Sequence, residues 1–104
     1  MKNMDIKIHK KTDELLLELE GIWDMPSSEE LIMICLSYKE EKTNVTIDLS
    51  KVEYIYISGL RHLLYIQYLA AKENVRLRLV NVDERTYKKL LDLNYIEGME
   101  IIAR

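Results

Sequence analysis

The sequence has 104 residues, of which 48% are apolar and 32% charged, and its net charge is −3. These values are typical of one soluble globular domain, residues 1–104, with a single core. The acidic balance argues against nucleic acid as a partner, and no apolar run approaches the roughly 18 residues of a membrane helix. The single cysteine, Cys35, excludes an internal disulfide, so we expect a cytoplasmic protein.

Two strands are predicted at the start of the chain. Residues 4–9 form a short alternating run, and Glu14–Glu20 form a clearer one. In the second run three leucines share one side, because successive side chains of a strand point to opposite faces. Gly21 interrupts the alternation, and we expect the second strand to end there.

A helix and a third strand follow. Ser27 and Glu30 have the spacing of a capping box, in which the serine oxygen accepts from a backbone amide and the glutamate reaches back. The helix after them carries apolar side chains at i, i+3, i+4 and i+7, namely Leu31, Ile34, Cys35 and Tyr38. The next alternating run, Val45–Leu49, predicts the third strand.

The second half of the chain alternates between helical and strand periods. The longest predicted helix covers Gly59–Glu73, and its core-facing stripe consists of Leu60, Leu63, Leu64, Ala70 and Ala71. Val75–Leu79 alternates as a strand. A third helix covers Glu84–Leu93 with Asp83 as its N-cap, and its inward side chains are Tyr87, Leu90 and Leu91. Met99–Ile102 predicts a short edge strand.

The predicted element order is β-β-α-β-α-β-α-β, which indicates the α/β class and a mixed sheet of about five strands. Strands buried on both faces usually read as unbroken apolar runs, whereas these strands alternate. One sheet face is therefore expected to meet water, with three or more helices mainly on the other face. Crossovers between parallel strands should be right-handed.

Three stretches of the sequence carry a family resemblance. Leu17–Asp24 reads Leu-Glu-Leu-Glu-Gly-Ile-Trp-Asp, Asp48–Ile55 reads Asp-Leu-Ser-Lys-Val-Glu-Tyr-Ile, and Ser58–Leu60 reads Ser-Gly-Leu. Together with Leu77–Asn81 and Leu90–Leu93, these stretches resemble the STAS domain, the family named after sulfate transporters and anti-sigma factor antagonists. The resemblance covers nearly the whole chain and implies a STAS-like fold.

The resemblance implies a protein-binding role rather than catalysis. Family members that regulate sigma factors bind an anti-sigma factor that is also a serine kinase, and phosphate on a motif serine ends the binding. The motif aspartate corresponds to Tyr56 here and the phosphorylated serine to Ile57, so only the second hydroxyl position, Ser58, remains. The resemblance therefore implies an anti-sigma factor antagonist-like module that is not switched at the usual serine position.

Ser58 and Asp24 each have a structural and a functional interpretation. Ser58 stands where the long helix begins, so its oxygen can cap the helix, or it can accept a phosphate beside the positive helix end. Asp24 can cap the preceding helix or contact the partner. Together with Tyr56 and Ile57, these residues form a candidate partner-binding site at the start of the long helix.

A second candidate surface lies along the long helix. Its four residues fall at i, i+4, i+7 and i+11, beside the core stripe, and are Arg61, Tyr65, Tyr68 and Lys72. Tyr and Arg are over-represented in protein interfaces, so the stripe is a candidate extension of the partner-binding site. The alternative is that the tyrosines cover the edge of the core with their hydroxyls in water.

The remaining residues give no support for an enzyme, a cofactor or a metal site. Cys35 lies on a predicted core stripe, and neither His9 nor His62 has the spacing of a catalytic dyad or of a metal ligand set. Two other roles stay open for a STAS-like domain, a subunit of an ABC lipid-transport system and a sensor of a small ligand. The sequence leaves the oligomeric state open between monomer and weak dimer.

Overall fold

Eight elements form the described part of the chain, residues 3–38, 43–93 and 99–104 of a computed structural model. In chain order they are β1 Met4–Lys10, β2 Glu14–Trp23, α1 Met25–Ser37, β3 Asn44–Ile55, α2 Ile57–Lys72, β4 Leu77–Val82, α3 Glu84–Asp92 and β5 Glu100–Ala103. The five strands form one mixed sheet in the order β1-β2-β3-β4-β5, with β1 antiparallel to β2 and the other neighbours parallel. The predicted element order and α/β class are confirmed.

The core lies on one face of this sheet. Leu17, Ile47 and Leu79, one from each central strand, are fully buried there. All three helices add side chains to the same apolar cluster, namely Leu31 from α1, Leu60 from α2 and Leu90 from α3. Burial of these side chains is the main term that holds helices and sheet together, at about 1.5–3 kcal/mol for each large apolar side chain.

The opposite sheet face carries a polar row across β2, β3 and β4. Thr46 Oγ1 donates to Glu14 Oε1 at 2.6 Å, and Arg78 Nη2 lies 3.3 Å from the same oxygen. The hydrogen bond from Thr46, with help from Arg78, lowers the pKa of Glu14 below its ordinary value. The helices on one face and the polar row on the other confirm the two-faced sheet that the alternating pattern predicted.

The second strand does not end at Gly21, so that prediction was wrong. β2 continues to Trp23, and Gly21 lies within it at φ +118. A Cβ at this position would collide with the carbonyl oxygen of Asn3, which accepts a hydrogen bond from the amide of Ile22 at 2.9 Å. The glycine therefore lets β1 pass close to β2 and does not break the strand.

The first helix begins earlier than predicted, at Met25. Its N-cap is Asp24, whose Oδ1 accepts from the Ser27 amide at 3.1 Å and from the Ser27 hydroxyl at 2.7 Å. The predicted capping box at Ser27 and Glu30 was wrong, because both residues lie inside the helix. By contrast, Asp83 caps α3 as predicted, with its Oδ1 accepting from the Thr86 amide at 2.8 Å.

The predicted core stripes of the helices are correct in part. Leu60, Leu63 and Ala70 of α2 are buried, and so is Ile66, which the sequence analysis left out. Four side chains that were predicted to face inward are exposed instead, namely Leu64, Ala71, Tyr87 and Leu91. Leu64 and Ala71 thus lie on the outward face of α2.

Candidate functional site

The candidate site lies where β2 and β3 end side by side and α1 and α2 begin. Trp23 and Ile55, the last residues of the two strands, are register partners, and the Tyr56 amide donates to the Trp23 carbonyl at 3.0 Å. In the sequence, the candidate Asp24 lies on one segment and the candidates from Tyr56 to Ser58 lie on another. The pairing of Trp23 with Ile55 brings the two segments together. We call the junction the helix entrance, and it consists of Trp23, Asp24, Tyr56, Ile57, Ser58 and Gly59.

Trp23 is the buried support of the helix entrance. Its side chain is fully buried, and its indole Nε1 donates to the hydroxyl of Ser28 in the first turn of α1. On its other side the indole meets α2, since a Cβ at Gly59 would lie only 2.8 Å from Trp23 Cδ1. The tryptophan therefore fixes the starts of both helices relative to the ends of the strands.

Asp24 acts as a cap, which confirms one of its two interpretations. Besides its bonds with Ser27, its Oδ2 accepts from Asn3 Nδ2 at 2.7 Å. The hydrogen bond from Asn3, followed by those from Ser27, lowers the pKa of the Asp24 carboxyl. Contact between Asp24 and a partner protein stays a prediction.

The start of α2 differs from the prediction for Ser58. The helix begins at Ile57, and its N-cap is Tyr56, which makes no side-chain capping hydrogen bond. The prediction that the Ser58 oxygen caps the helix was wrong, because Ser58 lies one position inside the first turn, where it is half-buried. The Tyr56 carbonyl accepts from the Gly59 and Leu60 amides at 2.9 and 3.3 Å.

Two large side chains stand in solvent at the helix entrance. Tyr56 is 50% exposed and Ile57 is 57% exposed. The ring of Tyr56 meets the ring of Tyr54 edge to face at 5.0 Å, and the Lys89 ammonium lies 4.9 Å from the centroid of the Tyr54 ring. Sequence reasoning missed Tyr54, although its spacing of two from Tyr56 was a usable signal, and it had no signal for Lys89.

The four residues predicted as a stripe on α2 are exposed together on its outward face. The rings of Tyr65 and Tyr68 are stacked, with centroids 6.5 Å apart. Leu64 joins them, and Ile57, Leu64 and Tyr68 follow one another at i, i+7 and i+11, so the stripe is continuous with the helix entrance. We call this face the α2 surface, and it consists of Ile57, Arg61, Leu64, Tyr65, Tyr68 and Lys72.

An apolar cleft of about 110 Å³ lies elsewhere, between the C-terminal halves of α1 and α2, with Leu36, Ile66 and Leu69 in its wall. It is smaller than the roughly 300–1,000 Å³ of typical ligand pockets. Cys35 also lines the cleft, and burial raises the pKa of its thiol to about 12. The thiol is therefore protonated and unreactive at neutral pH.

The described part of the chain shows neither a metal cluster nor a membrane-spanning helix. Within residues 3–38, 43–93 and 99–104, no group of three or more His, Cys, Asp or Glu side chains is arranged to hold a metal ion. In the same ranges no helix has both the length and the apolar character needed to cross a membrane.

Comparison with known proteins identifies the family. A family model described as "Mlab, STAS domain" matches residues 6–99. The chain belongs to the STAS domain family. This confirms the resemblance drawn from the sequence, although a search of the curated proteins gave no match.

Solved structures show the same fold for this STAS domain. An anti-sigma factor antagonist from Mycobacterium paratuberculosis superposes with a TM-score of 0.80 at 17% identity, covering 97% of this chain and 86% of the other. The anti-sigma factor antagonist SpoIIAA in its unphosphorylated form gives 0.77 at 14% identity, with coverages of 96% and 89%. Phosphorylated SpoIIAA from Bacillus gives 0.75 at 12% identity, with coverages of 93% and 90%.

Proposed function

We propose that this STAS domain is an anti-sigma factor antagonist-like module that binds a regulatory protein of the anti-sigma factor and serine kinase type at the helix entrance. The observation that carries the proposal is the exposure of Tyr56 and Ile57 side by side on a rigid support. The buried Trp23 holds the backbone at these two residues, so little conformational entropy is lost on binding. The structures that superpose on this domain include anti-sigma factor antagonists, which supports an anti-sigma factor as the partner.

The proposed binding is not controlled by phosphate at the usual position. Ile57 has no hydroxyl group to accept phosphate, and more than half of its side chain is exposed. Burying such apolar surface in a partner is worth about 25 cal/mol per Å². Isoleucine at this position therefore favours a constitutive contact in place of a switchable one.

Ser58 remains the hydroxyl on which phosphate control could act. A phosphate there would meet the positive end of α2, which tolerates negative charge, but it would also change the charge of the surface offered to the partner. We propose that Ser58 is left unmodified. Mass spectrometry of the protein purified from its native cells tests this, and a phosphopeptide that contains Ser58 would contradict it.

The binding test is a calorimetric titration of the purified domain against the kinase-type anti-sigma factor of the same organism. Wild type should bind at micromolar concentration, and Ile57→Glu should weaken binding at least tenfold. The first turn of a helix accepts a carboxylate well, so the variant should remain folded. The matched control is Ile8→Glu, which puts the same charge on an exposed isoleucine of β1 about 20 Å away along the sheet. The proposal fails if wild type does not bind, or if both variants bind equally well.

A second kind of partner is also supported, because the matching family model and the similar structures are described differently. The family model is described as Mlab, whereas the solved neighbours are described as anti-sigma factor antagonists. The second candidate is therefore a STAS subunit that binds the ATPase of an ABC lipid-transport system. The same titration, run with that ATPase from the same organism, separates the two, since each candidate predicts binding to one protein only.

We further propose that the domain acts by binding alone, in the cytoplasm, as a monomer or weak dimer. Supporting this, Cys35 carries a protonated thiol that is unsuited to nucleophilic chemistry. Sedimentation of the purified domain at micromolar concentration tests the oligomeric state. A tight dimer would contradict the proposal.

A further inference from the structure

The α2 surface is apolar, and the two charges on it are both positive. From residue 57 to residue 72 the helix contains no aspartate and no glutamate, and its two cations, Arg61 and Lys72, are both exposed. α3 adds three cations and two carboxylates, so the two helices together carry a net charge of +3. The whole chain carries −3, so positive charge is enriched on α2 and α3, whereas the neighbouring α1 carries Glu29 and Glu30 and no cation.

Aromatic contacts join the cations of α3 to the α2 surface. Lys89 of α3 lies over the ring of Tyr54, and Tyr54 contacts Tyr56, which directly precedes Ile57. Through these rings the apolar stripe of α2 reaches a cation of α3. A surface of this kind complements an apolar partner surface that is bordered by carboxylates.

A second copy of the chain does not fit this surface. In a symmetric contact between two α2 helices, Arg61 and Lys72 of both copies would approach one another, and no carboxylate lies between them along the helix. Like charges brought together at an interface cost free energy. The surface is thus suited to a different protein.

We propose that the α2 surface docks an amphipathic helix of the partner whose apolar stripe is bordered by aspartate or glutamate. The inference rests on the proposed function, because it takes the partner to be a protein, and it adds the chemistry of the docking segment. The stacked rings of Tyr65 and Tyr68 supply rigid apolar area, with 47% and 59% of each side chain exposed. Arg61 supplies hydrogen bonds and charge at the border of the stripe.

The test uses two synthetic helical peptides that share one leucine stripe at i, i+3, i+4 and i+7. In one peptide the residues beside the stripe are glutamate, and in the other they are lysine. Each peptide is titrated into the labelled domain, and amide shifts are followed by NMR. The acidic peptide should shift amides of α2 around Leu64 and Tyr68, and it should bind at least tenfold more tightly than the basic peptide.

Two charge-reversal variants complete the experiment. Arg61→Glu should weaken binding of the acidic peptide at least tenfold, whereas Lys11→Glu, the same change in the β1–β2 turn, should leave binding unchanged. Equal binding of the two peptides, or shifts that avoid α2, would overturn the inference. Because neither peptide is the proposed partner, failure here is distinct from failure of the anti-sigma factor titration.

Discussion

Gly59 lies against the indole of Trp23 so closely that a Cβ on Gly59 would come within 2.8 Å of Trp23 Cδ1. The tryptophan is fully buried and is tied to α1 through Ser28. It therefore cannot move aside cheaply, and the glycine is what lets α2 begin directly beside the end of β2. This contact positions Ile57, two residues earlier, in solvent at the helix entrance.

Replacing Gly59 by alanine should destabilise the domain. Overpacking against Trp23 costs about 1–3 kcal/mol, and the better helix propensity of alanine returns only about 1 kcal/mol. We expect the free energy of unfolding, measured in urea, to fall by about 1 kcal/mol. The control Ser58→Ala, one residue earlier in the same turn, should stay within about 0.5 kcal/mol of wild type. A Gly59→Ala variant as stable as that control would contradict the contact.

A capping side chain at position 56 should stabilise α2. Tyr56 occupies the N-cap and makes no side-chain capping bond there. Tyr56→Asp and Tyr56→Ala both lose the contact with the Tyr54 ring, but only the aspartate supplies an acceptor for the first-turn amides. The aspartate variant should therefore unfold with a free energy about 0.5–2 kcal/mol higher than the alanine variant. Equal urea midpoints for the two variants would show that the first-turn amides of α2 gain nothing from an added acceptor.

The Asp24 cap should make stability depend on pH. Its folded pKa lies below the unfolded value of 3.8, chiefly through the hydrogen bond from Asn3. Its contribution is therefore present above that value and is lost as the pH falls through the folded pKa. Asp24→Asn keeps an oxygen acceptor but does not titrate, so wild type should be more stable near about pH 7, with the gap closing towards about pH 3. Urea titrations that give a constant gap would contradict this.

The thiol of Cys35 should react slowly while the domain is folded. Burial raises its pKa from 9.0 to about 12, which lowers the thiolate fraction roughly a thousandfold at neutral pH. Labelling with a thiol-specific reagent should be slow in buffer and rapid in denaturing urea. Equal labelling rates in the two conditions would contradict the raised pKa of the Cys35 thiol.

The sequence was sufficient for the element order, because strand and helix periods alternate clearly along the chain. The start of α1 was misplaced, because Asp24 and Ser27 are both residue types that cap helices well. The hydrogen bond that favours Asp24 comes from Asn3, which is distant in the sequence. Gly21 was misread for a similar reason, because the strand that passes close to it comes from elsewhere in the chain. Local patterns cannot report such contacts.

The residues of the candidate site were predicted only in part. The outward position of Tyr65 and Tyr68 followed from helical spacing alone. The place of Lys89 beside Tyr54 depends on how α3 packs near the end of β3, and nothing in the spacing of either residue indicates it. The candidate surface is therefore broader than the stripe that the sequence predicted.

The most direct test of constitutive binding is to incubate the domain with the kinase-type anti-sigma factor and ATP, and then to measure both phosphate incorporation and binding. Wild type should take up no phosphate and should bind as well as without ATP, because Ile57 offers no acceptor and Ser58 is half-buried in the first turn of α2. Ile57→Ser, which supplies a hydroxyl at that position, should take up phosphate and lose binding. Phosphorylation of wild type, at Ser58 or elsewhere, together with loss of binding would contradict the account.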